Sequence, residues 1–67
     1  MNETKILTEL INRKIHCTIY TINGFQLRGR VIAADEKMIC VEVDGKQNLV
    51  YKHAISTIAP ALNLNNI

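Results

Sequence analysis

The sequence predicts a mainly β fold, in which one short N-terminal α-helix precedes five bent antiparallel strands curled into a small barrel. Three observations predict it. Apolar residues recur at helical spacing only near the N-terminus, and from Ile15 onward the period falls to two. Two turn dipeptides, Asn23-Gly24 and Asp44-Gly45, each lie between apolar or alternating runs.

From Glu3 to Arg13 the apolar residues Ile6, Leu7, Leu10 and Ile11 form one stripe along a helix. Asn2 is placed to cap its first turn, and the Glu3 carboxylate meets the positive end of the helix dipole. So short a helix is marginal alone, and its stripe must cover a neighbouring surface. The first strand alternates Ile15, Cys17 and Ile19 with His16, Thr18 and Tyr20. Asn23-Gly24 then predicts a hairpin with a type I′ turn, which requires positive φ at both central residues.

The return strand carries Phe25, Leu27, Gly29, Val31 and Ala33 on one face and Gln26, Arg28 and Arg30 on the other. A glycine inside a strand weakens it, so Gly29 marks a sharp bend or a close backbone approach. Asp35-Glu36-Lys37 is a charged turn, Met38 to Val43 an apolar strand, and Asp44-Gly45 a second hairpin turn leading into Gln47 to Tyr51. Lys52-His53 interrupts the pattern. Ala54 to Ala59 is a short last strand stopped by Pro60, so that residues 1–60 form the domain and 61–67 a frayed tail. This order fits an SH3-like barrel better than an OB-fold, which usually places a helix between its third and fourth strands.

With 67 residues the chain forms one domain, and a core of that size usually supplies only about 3 to 5 kcal/mol. The two cysteines, Cys17 and Cys40, form no CxxC pair, and His16 and His53 are not at zinc-finger spacing. Self-association is left as the stabilising device, and it would also cover the exposed edges of five short strands. The first residues lack the charged-then-apolar order of a secretory signal, and no apolar run approaches the roughly 18 residues of a membrane span. A cytoplasmic, reducing setting is expected, with Cys17 and Cys40 as small buried thiols. The net charge of +2 is too small to argue for nucleic acid by itself.

Catalysis is not expected. No Ser or Cys stands on a nucleophile elbow, no metal-ligand spacing occurs and no glycine-rich phosphate loop precedes a helix, so neither an enzyme nor a cofactor is predicted.

Tyr51-Lys52-His53-Ala54-Ile55-Ser56-Thr57 resembles the second Sm motif of the bacterial Hfq family. Asn23-Gly24-Phe25-Gln26-Leu27-Arg28-Gly29 resembles the family's first-motif hairpin in its Gram-positive form, and Gly45-Lys46-Gln47 agrees. The resemblance spans roughly Ile15 to Pro60 and implies an Sm-like subunit of a homohexameric ring, the fourth strand of one copy pairing with the fifth of the next. It implies an RNA chaperone acting in post-transcriptional regulation, with mRNA and small regulatory RNA as partners. Six such copies would carry about +12, a field that one subunit lacks. On the proximal face the resemblance places Tyr51, Lys52 and His53 around a pore that receives uridine-rich ends, with Glu36 and Lys37 beside it. On the distal face a purine-rich tract would lie against Tyr20, Asn23, Gly24, Phe25, Gln26, Leu27, Arg28 and Thr57.

Some positions depart from the family pattern. Glu3 stands where the family usually has glutamine, and Glu36 and Lys37 stand where it usually has a neutral polar residue and an aromatic. Ile11 and Asn12 replace part of a basic rim patch. The proximal and rim sites are therefore expected to be weaker than in typical relatives, and the distal site intact. Taken alone, Tyr20 and Phe25 would read as cross-strand packing partners, His53 as a structural turn residue and His16 as ordinary surface. Arg28 is expected to serve RNA and Arg30 is left open between RNA and solvent. The rival to RNA binding is a structural or protein-interaction ring.

Overall fold

The two-residue period that begins at Ile15 becomes five strands, and the helical stripe becomes one helix. A computed structural model describes residues 2–64. The elements are α1 (Glu3–Asn12), β1 (His16–Thr21), β2 (Gln26–Ala34), β3 (Met38–Val43), β4 (Lys46–Tyr51), a 3-10 turn (Lys52–Ala54) and β5 (Ile55–Pro60). All strand pairs are antiparallel, in the order β4-β3-β2-β1-β5. No helix separates β3 from β4, as an SH3-like barrel requires.

The Asn2 side chain accepts from the Lys5 N–H at 3.2 Å, so the expected cap forms. Leu7 and Leu10 bury the helical stripe, with Ile6 and Ile11 partly covered beside them. The stripe closes over Ile15, Cys17 and Ile19 of the first strand region and over Val31, Ile39 and Val41. Cys17 is buried and Cys40 only half-buried, and both are free thiols. Cys40 was expected inside, but its neighbour Val41 takes the core side of β3 and alternation turns Cys40 outward.

Gly29 is the pivot of the barrel. A Cβ there would run into the carbonyl oxygen of Glu42 and lie 2.9 Å from its carbonyl carbon, so β2 and β3 approach too closely for any side chain. A bulge follows: Val31 pairs with Val41 but Ala33 with Cys40, leaving Ile32 as an extra residue. The bulge corrects the expected alternation, because Ala33 leaves the Val31 face and is exposed.

The first hairpin also differs from expectation. Only Gly24 of the Asn23-Gly24 pair has positive φ, at +91°. The Gly24 N–H donates to Thr21 O at 3.1 Å and the Thr21 N–H to Phe25 O at 2.9 Å, closing a three-residue loop instead of a type I′ turn. The Thr21 hydroxyl explains the preference: it donates to Asn23 Oδ1 at 2.6 Å and accepts from the Phe25 N–H at 3.0 Å. In the second hairpin Asp44 and Gly45 have φ of 50° and 81°, both positive.

Pro60 is the last residue of β5 and not the residue that stops it, since the ladder continues through the Ala61 N–H to His16 O at 2.8 Å, which needs no proline donor. Of the expected tail, residues 65–67 lie outside the described residues, and Leu64 packs against the core. The two outer strands, β4 and β5, each have one free edge within the described chain. Leu49 on β4 is 68% exposed, and a groove of about 460 Å³ runs along β5, walled by Ile6, Leu7, Ile55 and Ile58.

Candidate nucleic-acid interface

Strand register assembles one face of the sheet. Tyr20 pairs with Gln26 on β2 and with Thr57 on β5, which sets the three in a row across the sheet. Thr18 pairs with Arg28 one row away, so Arg28 shares this face by alternation. Asn23, Gly24 and Phe25 are exposed at the adjoining hairpin, where Phe25 is 68% exposed. The Ser56 hydroxyl donates to Tyr20 O at 3.1 Å and fixes the backbone from which the Tyr20 ring projects.

Leu27 does not join this face. It pairs with fully buried Ile19 and packs against the core, so its side chain lies on the inner side of the sheet. Two residues emerge that sequence patterning did not select. Ile22, 70% exposed at the hairpin tip, sits where alternation has already ended. Ser56 acts through a backbone acceptor that no local pattern reveals.

The two arginines separate in role. Arg30 lies 2.7 Å from Glu42 Oε1 across the β2–β3 ladder, whereas Arg28 makes no ion pair among the described residues. Two exposed aromatic rings beside an unpaired guanidinium can stack bases and attract phosphate.

A second group forms where the β2–β3 turn meets the 3-10 turn. Met38 pairs with Tyr51, and the Lys52 N–H donates to Lys37 O at 2.8 Å. The Tyr51 and His53 rings stack with centroids 5.4 Å apart and planes 26° apart, on either side of Lys52 in the chain. Asp35 shapes the turn, its Oδ1 accepting from the Met38 N–H at 2.8 Å and the Lys37 N–H at 2.9 Å. Those two hydrogen bonds, Met38 first, hold its carboxyl below the ordinary carboxylate range, and the nearby Lys52 and Lys37 charges act in the same direction.

The proximal candidates Glu36, Lys37, Tyr51, Lys52 and His53 are thus gathered at one end of the sheet. Glu3 joins them from the helix, its Oε2 3.3 Å from Lys52 Nζ. Glu3, Asp35, Glu36 and Lys52 border a groove of about 390 Å³, so carboxylates outnumber ammonium groups there. Sequence pattern alone marks Asp35 only as part of a charged turn, because nothing local shows that it borders the same groove as Lys52.

Among the described residues no group of three or more His, Cys, Asp or Glu side chains could hold a metal ion. No described helix is long and apolar enough to cross a membrane.

The family model described as Hfq protein matches residues 3–65, which extends the likeness over the helix. The RNA-binding protein Hfq of Shouchella clausii (strain KSM-K16) is 47% identical over 62 residues, covering 92% of this chain and 80% of that protein. The RNA-binding protein Hfq of Bacillus subtilis (strain 168) is 42% identical over 62 residues, covering 92% and 85%. A crystal structure of the pleiotropic translational regulator Hfq superposes with a TM-score of 0.82 at 35% identity, over 85% of this chain and 95% of that one. The family model, the sequence relatives and the fold agree over most of the chain, which belongs to the Hfq family.

Proposed function

We propose that this chain is an RNA-binding subunit of a homohexameric ring and acts as an RNA chaperone in post-transcriptional regulation, bringing mRNA and small regulatory RNA together in the cytoplasm. The observation that carries the reading is the hairpin face, where exposed Tyr20 and Phe25 adjoin a guanidinium, Arg28, that makes no ion pair among the described residues. Solvated aromatic rings on a sheet surface contribute little to folding but offer platforms for bases. Purine-rich RNA would follow Tyr20, Asn23, Gly24, Phe25, Gln26, Arg28 and Thr57 from one subunit to the next, with Leu27 holding the strand from the core side.

Ring closure joins β4 of one copy to β5 of the next. Both edges are free among the described residues, and the apolar groove along β5 suits the exposed Leu49 side of β4. Repetition turns one weak nucleotide contact into several. At the other end Tyr51, Lys52 and His53 would face the pore and take uridine-rich ends, less strongly because of the carboxylates around Lys52. Residues 1–60 supply the ring-forming domain and 61–67 a short tail.

Native mass spectrometry with and without a short A-rich oligonucleotide tests ring and ligand together. A hexamer that retains the oligonucleotide, with affinity falling steeply as salt rises, is the expected result, because phosphate contacts release counterions. A folded monomer, or a ring that retains no RNA at low ionic strength, would overturn the reading and favour a structural or protein-interaction role.

A further inference from the structure

Among the described residues Lys52 is the one cation that borders the groove between the first turn of α1 and the β2–β3 turn. Its side chain is 21% exposed, and its ammonium already has a partner, Glu3 Oε2 at 3.3 Å. The two residues stand 49 positions apart in the chain, so only the closed fold brings them together. Both also border the groove along β5, which puts the ion pair on the ridge between two open depressions. Asp35 and Glu36 wall the groove from the β2–β3 turn, and Lys37 lies on the Tyr51 side of that turn, away from Glu3. A phosphate or base carbonyl approaching Lys52 therefore has to displace a carboxylate and enter a groove in which the remaining charge repels it.

We propose that Glu3 is a specificity-determining residue for RNA: by occupying the Lys52 ammonium it suppresses binding at this end of the sheet and directs RNA to the hairpin face. The inference rests on the RNA-binding reading above and adds to it how the two faces are ranked. Glu3 acts through Lys52 and need not touch RNA. Its side chain is 73% exposed, so the contact is a competitor that a strong ligand can open and not a fixed brace. Among the described residues Arg28 on the hairpin face has no such competitor, so the same RNA meets a cation without an ion-pair partner there on one face and Lys52 held by Glu3 on the other.

Glu3→Gln removes the charge and keeps the length of the side chain, and the Asn2 cap is untouched. Fluorescence anisotropy with short U-rich and A-rich RNAs is measured for the parent protein, Glu3→Gln, Lys52→Ala and the double variant, with melting temperatures recorded alongside. Glu3→Gln is expected to tighten U-rich binding by about fivefold per engaged subunit, the upper range for an exposed pair, and to leave A-rich binding unchanged. In the Lys52→Ala background that gain is expected to vanish, since the lysine through which Glu3 acts is gone. No gain on U-rich RNA, or a gain that persists without Lys52, would overturn the proposal. Absence of A-rich binding in every variant would instead overturn the RNA reading itself, and this inference with it.

Discussion

Phe25→Ala separates the contribution of the hairpin face to RNA from its contribution to folding. Phe25 is 68% exposed, so about one third of its surface is covered. If full burial of such a ring contributes up to about 3 kcal/mol, truncation costs the fold no more than about 1 kcal/mol. A base stacked on the same ring contributes about 1 to 3 kcal/mol, so losing it should weaken binding roughly five- to 150-fold per occupied site. The backbone bonds that close the loop involve Thr21 and the main chain of Phe25, not the ring, and the hairpin should keep its shape. Anisotropy titrations with A-rich and U-rich RNAs of equal length are the assay, with a melting curve as control. The expected pattern is a large loss on A-rich RNA, little change on U-rich RNA and a nearly unchanged melting temperature. Equal losses on both RNAs, or no loss on A-rich RNA, would refute the assignment of this ring to a separate purine-binding face.

Gly29→Ala should lower the melting temperature sharply, because the new Cβ meets the backbone carbonyl of Glu42 and not a flexible side chain. Overpacking of this kind costs about 1 to 3 kcal/mol, and each kcal/mol shifts the midpoint of so small a domain by about 4 to 8 °C; an unchanged midpoint would show that β2 and β3 do not approach so closely. Asp35 predicts an acid limb. Its carboxyl is held low by the Met38 and Lys37 N–H groups, so the ionised form is favoured by folding. That contribution is complete above the unfolded value near pH 4 and is lost as pH falls through the lower folded value. Asp35→Ala should melt earlier than the parent at neutral pH and show a flatter decline below about pH 4, and identical acid limbs would refute this role.

Much of the fold was legible because local rules and tertiary demands coincide. The period of two placed the strands, Gly29 announced the bend and Asp44-Gly45 formed its two-residue turn. Misreadings arise where a local signal meets a competing hydrogen bond or a change of register. Asn23-Gly24 lost its type I′ geometry to the Thr21 hydroxyl, which binds both Asn23 and the Phe25 N–H. Counting alternate residues could not anticipate the extra Ile32 and left Ala33 on the wrong face. Leu27 shows the two lines of sequence reasoning in conflict: alternation placed it with Gly29 and Val31, family likeness placed it among RNA contacts, and the structure packs its side chain with the core.

The fate of each cation was illegible for a deeper reason. Net charge assigns +2 to the chain and says nothing about where it can act. Arg30 is taken by Glu42, twelve residues further on and in register across the ladder. Lys52 is taken by Glu3 across nearly the whole chain, a pairing created only when the helix closes over the sheet. Arg28 has no ion-pair partner among the described residues because its neighbours on the same face, Thr18, Gln26 and Tyr20, carry no carboxylate. Among the described residues each end of the sheet thus holds one paired and one unpaired cation, and the ends differ in their surroundings: Lys52 lies among Glu3, Asp35 and Glu36, whereas the same-face neighbours of Arg28 carry no carboxylate. On that argument, the proposed ranking of the two faces for RNA follows from the positions of Glu3, Asp35 and Glu36 as much as from any arginine or lysine.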